Sequence, residues 1–189
     1  MKKQSFVALA AFLSTGAFAQ QASIPFQARG IIALSDADLT PSALVDNKLY
    51  RDKSTRDVLT VIPMPLSRNG GGFATLGVSN SSLLYDKTMV ITPNGRLAYV
   101  LEGYGPLGDT LTALKSGTKD YPAAARLFIV DMAQPQKPVA RVASFSSAPS
   151  AIVMNPQGNL VAIASGDAGK EIRVLEFDNT GKPTRNLTV

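Results

Sequence analysis

Gly103, Gly105 and Gly108 are spaced G-x-G-x-x-G between two apolar stretches, and the second stretch ends on an acid, Asp131. That is the outline of a turn that cradles a dinucleotide pyrophosphate. Such a turn needs its third glycine at the start of a real helix, whose N-terminus faces the phosphates. The helical turn expected at residues 110–115 reaches Gly117 almost at once, and Pro122 forbids extension. After Asp131 comes QPQKPV where a crossover helix belongs. The spacing is a decoy, and the segment is expected to be a loop. Ser116 and Lys119 fit S-x-x-K, a pairing that serves acyl transfer when the serine opens a buried helix. Here both sit in a Gly-flanked polar stretch and read as a solvated loop. Asn80 and Asn186 begin formal glycan acceptors, read as unmodified surface positions.

The chain has neither histidine nor cysteine. Zinc, copper, haem and iron–sulfur centres therefore lose their usual ligands. A Ser-His-Asp triad cannot be built from this chain alone, and no disulfide staples it. No cofactor is expected, and a divalent metal could be held only through Asp or Glu oxygens. The formal charge is +5, with no run of Lys/Arg that would mark a nucleic-acid footprint.

The opening MKKQSFVALAAFLSTGAFAQQ has the three parts of a bacterial export signal: Lys2 and Lys3, an apolar core over residues 6–13, and Ala-Phe-Ala before Gln20. Eight apolar residues fall short of the ~20 needed to span a bilayer. Cleavage after Ala19 is expected. It would leave 170 residues with a formal charge of +3, free of any membrane span, in the periplasm or secreted.

Stepping along the remainder, two stretches superimpose without a gap at an offset of 63: MVITPNGRLAYVLEG (89–103) and IVMNPQGNLVAIASG (152–166). Each reads strand, Pro-x-Gly turn, strand. Proline presets φ near −65° and glycine supplies positive φ, so each is a hairpin. RLFIVDMAQPQKPVARVASF (126–145) and EIRVLEFDNTGKPTRNLTV (171–189) add a second pair of strands to each. The unit is four short antiparallel strands, A to D. RGIIALSDA, DVLTVIPMPL and GGFATLGVS supply B, C and D of an incomplete first copy. Tandem four-stranded units predict an all-β, partial β-propeller. The expected organisation is a signal over 1–19 and an incomplete first blade over 20–79. A second blade over 80–145 carries a B–C insertion at 103–125, and a third blade covers 146–189.

ATLGVSNSSLLYDKTMVITPNGRLAYVLEG (74–103) resembles the YVTN-type repeat of the lactonase-like β-propeller superfamily through Pro93-Asn94-Gly95 and Tyr99-Val100. Pro156-Gln157-Gly158 matches with the tyrosine lost, and FDNTGKPT (177–184) is similar to the family's C–D turn. The resemblance covers most of 29–189. It implies a site around the central channel on the face that carries the B–C loops and D–A links. It also implies about seven blades, more than this sequence holds. The chain is accordingly expected to be a piece of a longer propeller, ahead of completing a ring with other copies through exposed sheet edges or standing as a short open array.

Both long B–C insertions, 38–57 and 103–125, fall on that face. Loops on a rigid scaffold are the usual seat of function. The ligand-facing candidates are Tyr50, Tyr104, Asp109, Lys115, Lys119, Asp120, Asp167 and Lys170. Beside an exported repeat segment whose only role is assembly, two functions compete. One is a non-catalytic scaffold that binds a small molecule, glycan or protein. The other is a lactonase-like hydrolase, in which Asp109, Asp120 and Asp167 would activate water directly or through a divalent metal.

Overall fold

The computed structural model describes residues 28–37, 43–50, 54–65, 72–79, 87–166 and 168–188. The described residues are all-β, with eleven strands in three antiparallel sheets. The first sheet orders β1 (Gly30–Ser35), β2 (Val58–Pro63) and β3 (Ala74–Gly77). The second is β4 (Met89–Ile91), β5 (Leu97–Tyr104), β6 (Ala123–Asp131) and β7 (Val139–Ser144). The third is β8 (Pro149–Met154), β9 (Leu160–Ser165), β10 (Ile172–Phe177) and β11 (Pro183–Thr188). Each sheet is a simple meander, because antiparallel neighbours need only short turns.

The two repeat hairpins close by the same device with different atoms. Thr92 Oγ1 accepts the Leu97 amide at 2.9 Å, and Asn155 Oδ1 accepts the Leu160 amide at the same distance. Gly95 and Gly158 take φ of 68° and 78°, which an L side chain rarely tolerates. These local bonds fix strand direction before any packing is made.

Packing then stacks the sheets face to face. Along β5 the side chains alternate, as strand geometry requires. Ala98 and Val100 join Leu59 and Val61 of the first sheet and Val78 just past β3. Leu97, Tyr99 and Leu101 join Ile152, Val161, Ile163, Leu175 and Phe177 of the third. Seven of the eight β5 residues are consequently buried. Removing such side chains from water is worth about 1.5–3 kcal/mol each. At the inner edge β8 meets β4 and β5, and the Ile152 amide donates to Lys87 O at 2.9 Å. The second and third sheets thus fan out from the edge where β4 and β8 meet, as blades do. Among the described residues no helix is long and apolar enough to cross a membrane; the segment expected to be an export signal lies outside them.

Candidate ligand-binding platform

The two B–C insertions fold against each other. A single helical turn, α1 (Ala43–Asp46), ends at Asn47, whose φ of 59° suits an asparagine. From there the first insertion runs beside the second through an isolated bridge between Lys48 and Ala113. The Leu49 amide donates to Thr112 O at 2.9 Å, and the Leu114 amide to Asn47 O at 2.7 Å. Beneath this bridge Ala43, Leu49, Leu107, Leu114 and Tyr121 form a third apolar core, with Tyr104 and Leu111 against it. The helical turn expected at 110–115 is replaced by this bridge. The turn that does form is a 3-10 turn at Gly117–Asp120, because Asp120 Oδ2 accepts the Ser116 amide at 2.7 Å and the Lys115 amide as well.

The glycine spacing resolves into three unrelated jobs. Gly103 lies where the β5–β6 register shifts, between Glu102 and Tyr104. The Gly105 amide donates to Pro122 O at 2.8 Å and closes the neck of the insertion. Gly108 O accepts the Leu111 amide in a local turn.

The candidate residues are brought together unevenly. Tyr104 and Tyr121 meet edge to face with centroids 6.0 Å apart, which ties Tyr104 to the platform floor. Tyr50 is 61% exposed, and its hydroxyl donates to Asp46 Oδ2 at 3.1 Å. The Lys48 amide bonds Asp46 Oδ1 and holds that carboxyl below its ordinary range, while the bond to Asp46 raises the Tyr50 phenol. Asp109 pairs with Arg56 at 3.4 Å, which links the two insertions a second time. Lys115 and Lys119 are exposed on the platform rim, and Lys170 is exposed on the short β9–β10 connection. Asp167 lies outside the described residues. Of the three acids a hydrolase would need, Asp120 is committed to backbone amides and Asp109 to a guanidinium. No group of three metal-ligating side chains converges among the described residues.

Two features escaped the sequence reading. Glu102 is fully buried, and Arg126 clamps it with Nε and Nη2, the latter at 2.5 Å. The carboxylate's hydrogen bond raises the Arg126 pKa further. Counting outward from the strand ends would have placed Glu102 opposite Arg126. The second feature is a cleft of about 1090 Å³ at the other end of the first two sheets. Ile32, Val61 and Met132 floor it, and Arg29 and Arg96 stand at its wall. Arg96 Nε is buried without a hydrogen-bond partner among the described residues, and Arg96 Nη2 reaches Asp131 at 3.4 Å. An apolar ligand carrying one anionic group suits that lining.

The architecture and loops define an all-β protein built as a partial propeller. No family model matches the chain, and no curated protein matches it in sequence. Among solved structures it is similar to a Bacteroides uniformis protein assigned as a 6-phosphogluconolactonase, at 15% identity and a TM-score of 0.40. The match covers 69% of this chain and 36% of that one, so the chain spans about a third of that protein's length. The relation is a distant one of fold.

Proposed function

We propose that this chain is an exported, propeller-type repeat protein that binds its ligand on the platform made by the two insertions. The ligand class is a small molecule, a glycan or a protein surface. The observation that carries the reading is the third apolar core. Solvated connections do not bury Leu49, Leu107, Leu114 and Tyr121 together, and doing so orders two loops at an entropic cost of about 1–2 kcal/mol per residue. An ordered surface set on stacked sheets presents Tyr50, Lys115 and Lys119 in fixed places. Export rests on the N-terminal signal.

The test replaces residues 105–122 with the five-residue Gly-Asp-Ala-Gly-Lys connection of the third blade. Binding is then scored on a glycan array and by thermal shift against a small-molecule library. Ligands that bind the parent chain and not the swapped one support the platform. Lactone turnover that needs a divalent metal and vanishes in Asp109→Asn or Asp120→Asn would overturn the scaffold reading in favour of a hydrolase. A second reading seats the ligand in the Arg29–Arg96 cleft, favoured by the unpartnered Arg96 Nε. There, binding would survive the loop swap and be lost in Arg96→Met.

A further inference from the structure

The outward face of the third sheet repeats, register for register, a face that the molecule already covers. In the second sheet Val90, Tyr99 and Ile129 stand in one row across β4, β5 and β6, beneath the third sheet. The equivalent row of the third sheet is Val153, Ala162, Val174 and Leu187. One row along, Leu101 and Leu127 have Ala164 and Ile172 as their equivalents. Tyr99, Leu101 and Leu127 are sealed, whereas Val153, Ile172 and Leu187 are 50%, 48% and 46% exposed.

The opposite end of the stack presents the converse face. On β1, Ile32 and Leu34 pack toward the second sheet, so Ile31 and Ala33 point the other way, paired with Ile62 and Thr60. Those are the positions through which β5 and β9 rest on the sheet before them. Ile31 is 39% exposed. One end therefore carries a face that a following sheet covers elsewhere in this molecule, and the other carries a face that rests on a preceding one.

We infer that two copies of this chain close head to tail, the third sheet of each packed against the first sheet of the other. Two copies bring six sheets, within the four to eight blades of closed propellers. The contact continues the fan already present between the second and third sheets. The three strands of the first sheet, six residues at most, limit the flat footprint to about 300 Å², from strand spacing and rise. That is small beside the ~800 Å² per partner of a standard interface. One such contact is weak, but closure makes two at once, and the second forms at high effective concentration. Association at tens of micromolar is the expected range.

Sedimentation of the export-processed chain tests this with two variants, Val153→Asp on the third sheet and Ile31→Asp on the first. The parent is expected to be a dimer. Each variant alone should be a monomer, its dissociation constant raised about 100-fold or more by a buried charge. An equimolar mixture should stay monomeric where the parent dimerises, because the mixed pair keeps one intact contact and places both charges in the other, and one contact alone is weak. Both positions are exposed, and unchanged circular-dichroism melts check the fold. Val153→Lys and Ile31→Lys replace any variant that melts early. A monomeric parent overturns the inference. So does an Ile31→Asp variant that remains dimeric, since third sheets would then be meeting each other.

Discussion

The second and third sheets are built on one repeat, and they differ in what surrounds them. The second is covered on both faces, and β5 is buried almost throughout; the third is covered on one, and β9 alternates buried with half-buried. At equivalent positions Tyr99 and Leu101 become Ala162 and Ala164. Hairpin closure, by contrast, is retained through Thr92 in one and Asn155 in the other. The backbone of a blade is thus specified locally, by turn chemistry and alternation, while the bulk of its side chains answers to the neighbouring sheet.

The sharpest way to break that comparison is at Glu102, which no third-sheet carboxylate matches: Ser165 stands there instead. Arg126→Ala would strand a fully buried carboxylate, and denaturant unfolding should show a loss of about 3–5 kcal/mol. Next in size is Leu101→Ala, expected to cost about 2–5 kcal/mol by loss of a sealed side chain. Val153→Ala on the half-exposed outer face should stay within about 0.5 kcal/mol in the monomer. Equal losses at the two positions would refute the claim that only one face is covered.

The two turn glycines sharpen the same contrast. A Cβ at Gly95 meets nothing within 4 Å, so Gly95→Ala carries only the left-handed backbone cost of about 1–2 kcal/mol. A Cβ at Gly158 would collide with Pro93 Cδ, in the turn of the preceding blade. Gly158→Ala should therefore lower the melting temperature measurably more than Gly95→Ala.

The smallest effect at neutral pH is expected at Tyr99. Its ring packs at 4.8 Å from Phe177, its hydroxyl is buried without a partner among the described residues, and burial pushes its pKa to about 12. Tyr99→Phe should be neutral or slightly stabilising. The folded chain holds the phenol proton more tightly than the unfolded chain, whose tyrosine titrates near 10. The parent should thus lose stability as pH rises from about 10 to 12, by up to about 1.4 kcal/mol per pH unit. The phenylalanine variant should lose less over the same range, as unfolding at stepped pH would record.

How far the sequence could be read follows the same division. The hairpins were legible because Pro-x-Gly turns and period-two alternation act over a few residues, and the offset of 63 between copies exposed the all-β blade pattern. The insertions were not. Leu49, Leu107, Leu114 and Tyr121 show no periodicity, and their core forms between segments some sixty residues apart in sequence. The partners of the charged candidates were hidden for a related reason. Asp120 and Asp109 look available in a loop, yet folding commits one to backbone amides and the other to Arg56.

The central claim is that two loops from different blades fold as one platform, and amide hydrogen exchange at Leu49 and Leu114 tests it most directly. Each amide donates across the junction, to Thr112 O and Asn47 O. Both should be protected, and Leu107→Asp, which puts a charge in the shared core, should release the two together while β5 and β6 stay protected. Protection that persists at Leu49 after Leu114 is released would mean that the insertions are independent loops.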